Sequence, residues 1–148
     1  MKTSIYLDTT IISALFDERT PERMIQTKQF WDRIDEYSVC VSDLVLDEIK
    51  GASHFLQKEM MSKVSGFAIL VSNDDVEYLA DEYIKNGIFP DKYYDDAIHV
   101  ALASVNSVNI LLSWNFTHLV KIKTRRMVSL INAIHNYNSI EIISPPEL

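Results

Sequence analysis

Four residues set far apart along the chain carry oxygen donors suited to acid–base or hard-metal chemistry. Asp8 follows Ile5-Tyr6-Leu7, Glu48 sits in Val45-Leu46-Asp47-Glu48-Ile49, Asp96 precedes Ala97-Ile98-His99-Val100-Ala101, and Asn115 follows Leu111-Leu112-Ser113-Trp114. Each also has an ordinary structural reading. Asp8 suits a helix cap, its carboxylate accepting from a backbone N–H two or three residues on. Glu48 adjoins the apolar face of Leu44, Val45 and Ile49, where a carboxylate is either solvated at the edge or satisfied by donors or a cation. Asp95 and Asp96 suit an acidic first helical turn, but a cap accounts for only one of them. His99 shares a helix face with Asp96 and is placed to bond or orient it, or else packs as a satisfied histidine. Asn115 reads as a turn residue, with His118 as a polar neighbour.

As a set these residues say more than they do singly. Converging carboxylates repel, and only protons or cations relieve the repulsion. Ligands that are all oxygen select hard divalent ions, Mg²⁺ or Mn²⁺. One cysteine, Cys40, and no paired-histidine motif make zinc a poor fit. A hard ion held by a few carboxylates, with water in its open positions, is equipment for phosphodiester hydrolysis.

Positioning such a set requires elements that deliver loop residues to one edge. Five short β-type runs are legible: Thr3–Leu7, Ser38–Ser42, Phe67–Val71, Asn109–Ser113 and Ile140–Ser144. Most are continuously apolar, as strands covered on both faces are. Helical spacing fills the intervals at Pro21–Tyr37, Asp43–Gly51, Ser53–Ser65, Asn73–Asn86, Asp95–Asn106 and Thr124–Tyr137. The alternation predicts an α/β three-layer sandwich with a mainly parallel five-stranded sheet flanked by helices. Ligands of such sheets bind beyond the carboxyl ends of the strands, and Asp8, Asp43 and Asn115 all fall just past a strand end.

Composition sets the outer bounds. The 148 residues suffice for one domain, 1–148, and 47% hydrophobic with 24% charged residues is ordinary globular content. A net charge of −7 excludes a broad basic surface for coating nucleic acid, though not a local basic patch. The lone cysteine suits a reducing cytoplasm, and no apolar run suits a signal peptide or a membrane span.

The segments Ile5-Tyr6-Leu7-Asp8-Thr9-Thr10, Val45-Leu46-Asp47-Glu48-Ile49, Asp96-Ala97-Ile98-His99-Val100-Ala101 and Leu111-Leu112-Ser113-Trp114-Asn115-Phe116 resemble the four motifs of PIN-domain ribonucleases. Order and spacing match from Ile5 to about Leu119, and the sequence is similar in particular to VapC-type toxins of bacterial toxin–antitoxin modules. The resemblance implies an acidic pocket at the strand carboxyl ends. In it Asp8, Glu48 and Asp96 are the metal-binding acids, Asn115 takes the place where many members carry a fourth acid, and Ser113, Thr9 and Thr10 fill the neighbouring hydroxyl positions. It further implies a cognate antitoxin that inserts a basic side chain across the pocket, and a homodimer. The departure at Asn115 keeps an oxygen and loses a charge, so one well-held ion is expected.

The reaction expected on this basis is metal-assisted RNA hydrolysis, with Asn115 positioning water or a second ion and His99 at one remove. Lys121, Lys123, Arg125 and Arg126 place four of the 14 basic residues close together and are candidate phosphate contacts. Trp114 is a candidate base-stacking residue, or else core. Asn115 also favours a rival reading, a weakly active or inactive interaction module on the same fold. An aspartyl-phosphatase ranks lower because Thr10 stands where such chemistry wants a second aspartate, and a phospho-receiver lower still.

Overall fold

The computed structural model describes residues 1–148. Its sheet contains β1 (Thr3–Leu7), β2 (Tyr37–Ser42), β3 (Ala68–Leu70), β4 (Ile110–Leu112) and β5 (Glu141–Ile143). The order is β3-β2-β1-β4-β5, with every neighbouring pair parallel. All five expected strands are present. Those at the edges and β4 are shorter than their apolar runs, because a strand needs ladder partners as well as β-branched side chains. On β3, Ile69 is half exposed, while Ile5, Tyr6 and Leu7 on central β1 are wholly buried.

Seven α-helices connect the strands: α1 (Thr9–Ala14), α2 (Pro21–Asp32), α3 (Asp43–Ile49), α4 (His54–Val64), α5 (Asp74–Lys85), α6 (Tyr94–Val105) and α7 (Ile122–Ile134). Chain order moves from β1 out to β3, then jumps back across β1 to β4 and β5. Right-handed crossovers therefore put α1 to α4 on one face and α5 to α7 on the other. The packing agrees: α1 meets α2, α3 and α4, while α5 meets α6 and α7.

Local sequence explains most helix boundaries. Ser42 caps α3 by accepting from the Val45 N–H at 3.1 Å, and Asn73 caps α5 by accepting from the Val76 N–H at 3.0 Å. Pro21 opens α2, where a missing N–H costs nothing. The expected helix over 21–37 ends early: Arg33 leaves helical geometry, Ile34–Glu36 form a 3-10 turn, and Tyr37 already pairs with Thr3 in the sheet. Sheet pairing overrides local helical spacing there. The helix α1 is an addition to the sequence reading, being too short to show a period. Neither Asp95 nor Asp96 caps α6; Tyr93 holds that position and supplies no side-chain bond.

From Ala97 to Ser104 every residue of α6 is buried, so this helix is interior on all sides. A hydroxyl and amide network of Tyr83, Ser104 and Asn132 ties α5, α6 and α7 together, with Asn132 Nδ2 donating to Ser104 Oγ at 2.9 Å. Beside the core cluster of 35 buried residues, a second group of buried polar side chains, Asp8, Ser42, His99 and Ser113, lies toward the carboxyl end of β1. No helix is long and apolar enough to cross a membrane.

Candidate functional site

β1 lies between β2 and β4, where the winding of the sheet reverses. The crevice beyond its carboxyl end is the position where open α/β sheets take ligands. Asp8 occupies that end. It is 2% exposed, and its carboxylate accepts from the Thr10 N–H at 3.0 Å, from the Thr10 hydroxyl and from the Ser113 hydroxyl. Asp8 thus caps α1 and also faces the loop after β4. Burial pushes its pKa up, and the nearby His99 charge and the two hydroxyl donors only partly offset this.

Glu48, on α3, is half-buried. Its Oε1 accepts from Thr9 Oγ1 at 2.7 Å and meets His99 Nε2 at 2.7 Å. The other ring nitrogen, His99 Nδ1, lies 2.6 Å from the Tyr6 hydroxyl, which in turn lies 2.7 Å from Ser42 Oγ. A buried chain therefore runs Ser42–Tyr6–His99–Glu48. Burial disfavours a charged His99, but the Glu48 bond and the charges of Glu48, Asp8 and Asp96 outweigh it and raise the pKa. Burial likewise pushes Glu48 up, and the His99 and Thr9 bonds outweigh it, leaving Glu48 below its ordinary value.

Of the two readings of His99, the structure shows the packed, satisfied histidine and not the bond to Asp96. His99 turns to Glu48 and Tyr6 because both its nitrogens find better-placed partners there. Asp96, in the first turn of α6, receives only a long bond from Asn115 Nδ2 at 3.4 Å. Burial raises its pKa, the His99 and His118 charges pull it down, and Asp8 and Glu48 push it up again, for a net rise. Asp8, Glu48 and Asp96 are therefore close enough to feel one another's charge. Asp95 is exposed on the same turn.

Asn115 presents its amide donor to Asp96 where a carboxylate would repel it. Its Oδ1 accepts from the His118 N–H at 2.9 Å, and its own N–H donates to Ser113 Oγ at 2.9 Å. Ser113 thereby links Asn115 to Asp8. His118 stacks on Tyr93, ring centroids 4.0 Å apart, beside Asp96. Asp43, the remaining strand-end aspartate, accepts from the N–H and hydroxyl of Ser72, both at 3.0 Å, and joins β2 to β3 instead.

The donor set of Asp8, Glu48 and Asp96 is all oxygen and suits Mg²⁺ or Mn²⁺. No three His, Cys, Asp or Glu side chains stand close enough to enclose an ion as placed. One Glu48 oxygen accepts from Thr9 and meets His99, and both Asp8 oxygens accept from hydroxyls, so these two carboxylates are held in place by the chain's own groups.

The basic cluster is less free than its sequence suggests. Lys121, Lys123 and Arg126 are exposed, but Arg125 Nη2 bonds Glu147 Oε1 at 3.1 Å, just after β5. Trp114 is 6% exposed and donates Nε1–H to Thr27 Oγ1 at 2.8 Å, so it is core and does not stack on a base. Sequence reasoning missed Tyr6 and Ser42; the only trace was a hydroxyl inside each apolar strand. It also missed Arg23 and Phe116, which flank Trp114.

No protein-family model matches the chain, and no curated protein matches it. Solved structures do. Mycobacterium tuberculosis VapC20, a Sarcin-Ricin loop cleaving toxin, is similar with a TM-score of 0.60 and 15% identity, over 93% of this chain and 98% of its own. A toxin–antitoxin complex from Klebsiella pneumoniae is similar at 0.59 and 19%, over 80% and 92%. VapBC2 from Rickettsia felis, bound to a DNA fragment from its promoter, is similar at 0.57 and 11%, over 96% and 98%. With a five-stranded all-parallel sheet and helices on both faces, this chain has the fold of the VapC-type PIN-domain toxins.

Proposed function

We propose that this chain is a metal-dependent ribonuclease and the toxin of a toxin–antitoxin pair. The observation that carries this reading is the placement of Asp8, Glu48 and Asp96 around the carboxyl end of β1, the sheet's switch point, linked by the bonds of Thr9, Thr10, His99, Ser113 and Asn115. Burial, more than mutual repulsion, raises the pKa of Asp8 and Asp96. The likeness to VapC20, which cleaves the sarcin–ricin loop, supports the choice of RNA.

In this reading Asp8, Glu48 and Asp96 hold Mg²⁺ or Mn²⁺, which when bound lowers the pKa of water and polarises a phosphoryl oxygen. The chain's own residues do the positioning. Ser113 and Thr10 fix the Asp8 carboxylate, and Thr9 and His99 fix Glu48. The Asn115 amide orients Asp96 and whatever water lies beside it. Hydrolysis leaves a 5′-phosphate and a 3′-hydroxyl. Lys121, Lys123 and Arg126 lie exposed after the fourth motif to contact flanking phosphates, and Arg125 joins them only by leaving Glu147. A cognate antitoxin covers the acidic pocket with a basic side chain, and the toxin pairs as a homodimer.

The test is cleavage of end-labelled RNA by purified protein with Mn²⁺ or Mg²⁺, against an EDTA control and Asp8→Asn. Metal-dependent products that vanish in the variant support the reading; equal degradation by wild type and variant removes this pocket from the chemistry. The second reading, an interaction module without useful activity, is favoured by the amide at Asn115 and by carboxyl groups that do not yet enclose an ion. It predicts no cleavage with either ion while antitoxin binding persists.

A further inference from the structure

Three of the five arginines are tied to carboxylates: Arg19 to Asp17 at 2.9 Å, Arg33 to Glu36 at 2.9 Å and Arg125 to Glu147 at 3.1 Å. Arg23, in the first turns of α2, makes no ion pair and no side-chain hydrogen bond. Its guanidinium carbon lies 5.3 Å from the ring centroid of Trp114 and 5.3 Å from that of Phe116. The two rings meet edge to face, 6.1 Å apart at 66°. Two aromatic faces thus hold a cation whose N–H donors have no partner.

The place is as informative as the geometry. Arg23 lines a cavity of about 210 Å³ together with Thr10, Ser13, Asp17, Thr20 and Trp114. Thr10 holds the Asp8 carboxylate and also accepts from the Trp114 N–H at 2.9 Å, so one wall of the cavity is the scaffold of the acidic site. Of the cavity hydroxyls, Thr10 donates to Asp8 and Ser13 to the Thr9 and Thr10 carbonyls, which leaves Thr20 as an uncharged donor. The one acid in the cavity, Asp17, is bound by Arg19 through both carboxylate oxygens and makes no direct bond to Arg23, although the Arg23 charge also reaches it. Phe116 keeps 45% of its surface in water although its neighbour Trp114 is buried. An exposed ring beside a free guanidinium matches the two surfaces of a nucleotide, a π-face and a phosphate. In a chain with net charge −7, a phosphodiester needs such a local cation near the carboxylates.

We propose that Arg23 and Phe116 form a nucleotide subsite for single-stranded RNA beside Asp8, Arg23 binding a backbone phosphate and Phe116 stacking on the adjoining base. This deepens the ribonuclease reading and rests on it for the class of ligand, but not for catalysis.

Binding is measured by fluorescence anisotropy with a 5′-fluorescein oligouridylate of about eight nucleotides, in EDTA so that no cleavage intervenes. Arg23→Gln is expected to weaken binding about tenfold and to lower the salt slope by about one. Phe116→Ala is expected to weaken it about fivefold with the slope unchanged, and Arg23→Lys to fall between wild type and Arg23→Gln because the charge remains without the planar stack. Near-UV circular dichroism and melting curves establish that each variant is folded; Phe116→Ala, at an exposed side chain, is the variant least exposed to that concern. Affinities of both Arg23→Gln and Phe116→Ala within twofold of wild type overturn the subsite, as does a wild type that binds no oligouridylate. RNA binding that depends on Arg23 in a protein inert with Mg²⁺ and Mn²⁺ keeps the subsite and sinks the nuclease; cleavage indifferent to both variants does the reverse.

Discussion

Glu48 Oε1 and His99 Nε2 lie 2.7 Å apart, a contact that joins α3 to α6 within the carboxylate cluster and becomes an ion pair when His99 is protonated. His99 is buried, while the Glu48 side chain keeps 33% of its surface in water. When protonated, His99 gives the cluster a cation on one side, backed by the Tyr6 hydroxyl.

The pH dependence of this pair has a definite sign. His99 titrates above its ordinary value, so its contribution is complete below that value and fades as pH rises through the raised pKa. Glu48 titrates below its ordinary value, so its contribution is present above that value and fades as pH falls through the lowered pKa. The pair therefore stabilises most between about pH 4.3 and 6.5. His99→Gln should cost about 2 kcal/mol there, less than a wholly buried pair because Glu48 is partly solvated. Melting curves of variant and wild type from acid to alkaline pH should converge as pH rises past the His99 pKa.

Asp8→Asn should separate stability from activity. Asp8 has a raised pKa, so its ionisation destabilises the metal-free fold as pH climbs through that value. An asparagine accepts from the Thr10 N–H and donates to Ser113 Oγ without the charge. The variant is expected to melt a few degrees higher than wild type at pH 7.5 in EDTA, about 1 kcal/mol, and to lose RNA cleavage by about a hundredfold or more. Differential scanning calorimetry and a cleavage assay read the two effects on one preparation.

Asn115→Asp is the opposite experiment. It replaces the amide donor at 3.4 Å from Asp96 with a fourth carboxylate. Metal-free protein should lose about 1 kcal/mol at neutral pH through added repulsion, while Mn²⁺ affinity by calorimetric titration should rise about tenfold. A variant that binds Mn²⁺ no better than wild type would mean that position 115 does not face the ion.

Ser113→Ala removes the hydroxyl that donates to Asp8 and accepts from the Asn115 N–H. The buried Asp8 carboxylate and the half-buried Asn115 N–H each lose a partner, which should cost about 2 kcal/mol. A further consequence is kinetic. Asp8 and the Asn115 loop lose their common anchor, so kcat should fall about tenfold with KM for RNA little changed, which steady-state cleavage resolves.

Much of the architecture was legible from chain order alone. The runs at Thr3–Leu7 and Asn109–Ser113 are apolar and β-branched because their strands are buried on both faces, and that requirement is written locally. The end of α2 was not legible, since Ile34–Glu36 keep an apolar residue at helical spacing while Tyr37 is claimed by its pairing with Thr3. Asp8 and Asp96 were nameable because positions after strands and at helix starts lead to one edge of a parallel sheet, whereas Glu48, in the last turn of α3, stood out only as a carboxylate beside an apolar face.

The sequence by itself determined which residue types reach that edge and that their donors are oxygens, because periodicity and turn chemistry act over a few residues. Only the tertiary structure decided their pairing: His99 with Glu48 instead of Asp96, Arg125 with Glu147, and Arg23 left free between Trp114 and Phe116. Each of those choices is a competition over a few ångströms between groups far apart in the chain, 51 residues for His99–Glu48 and 22 for Arg125–Glu147. Distance and burial set its outcome, and neither is a property of a chain before it folds.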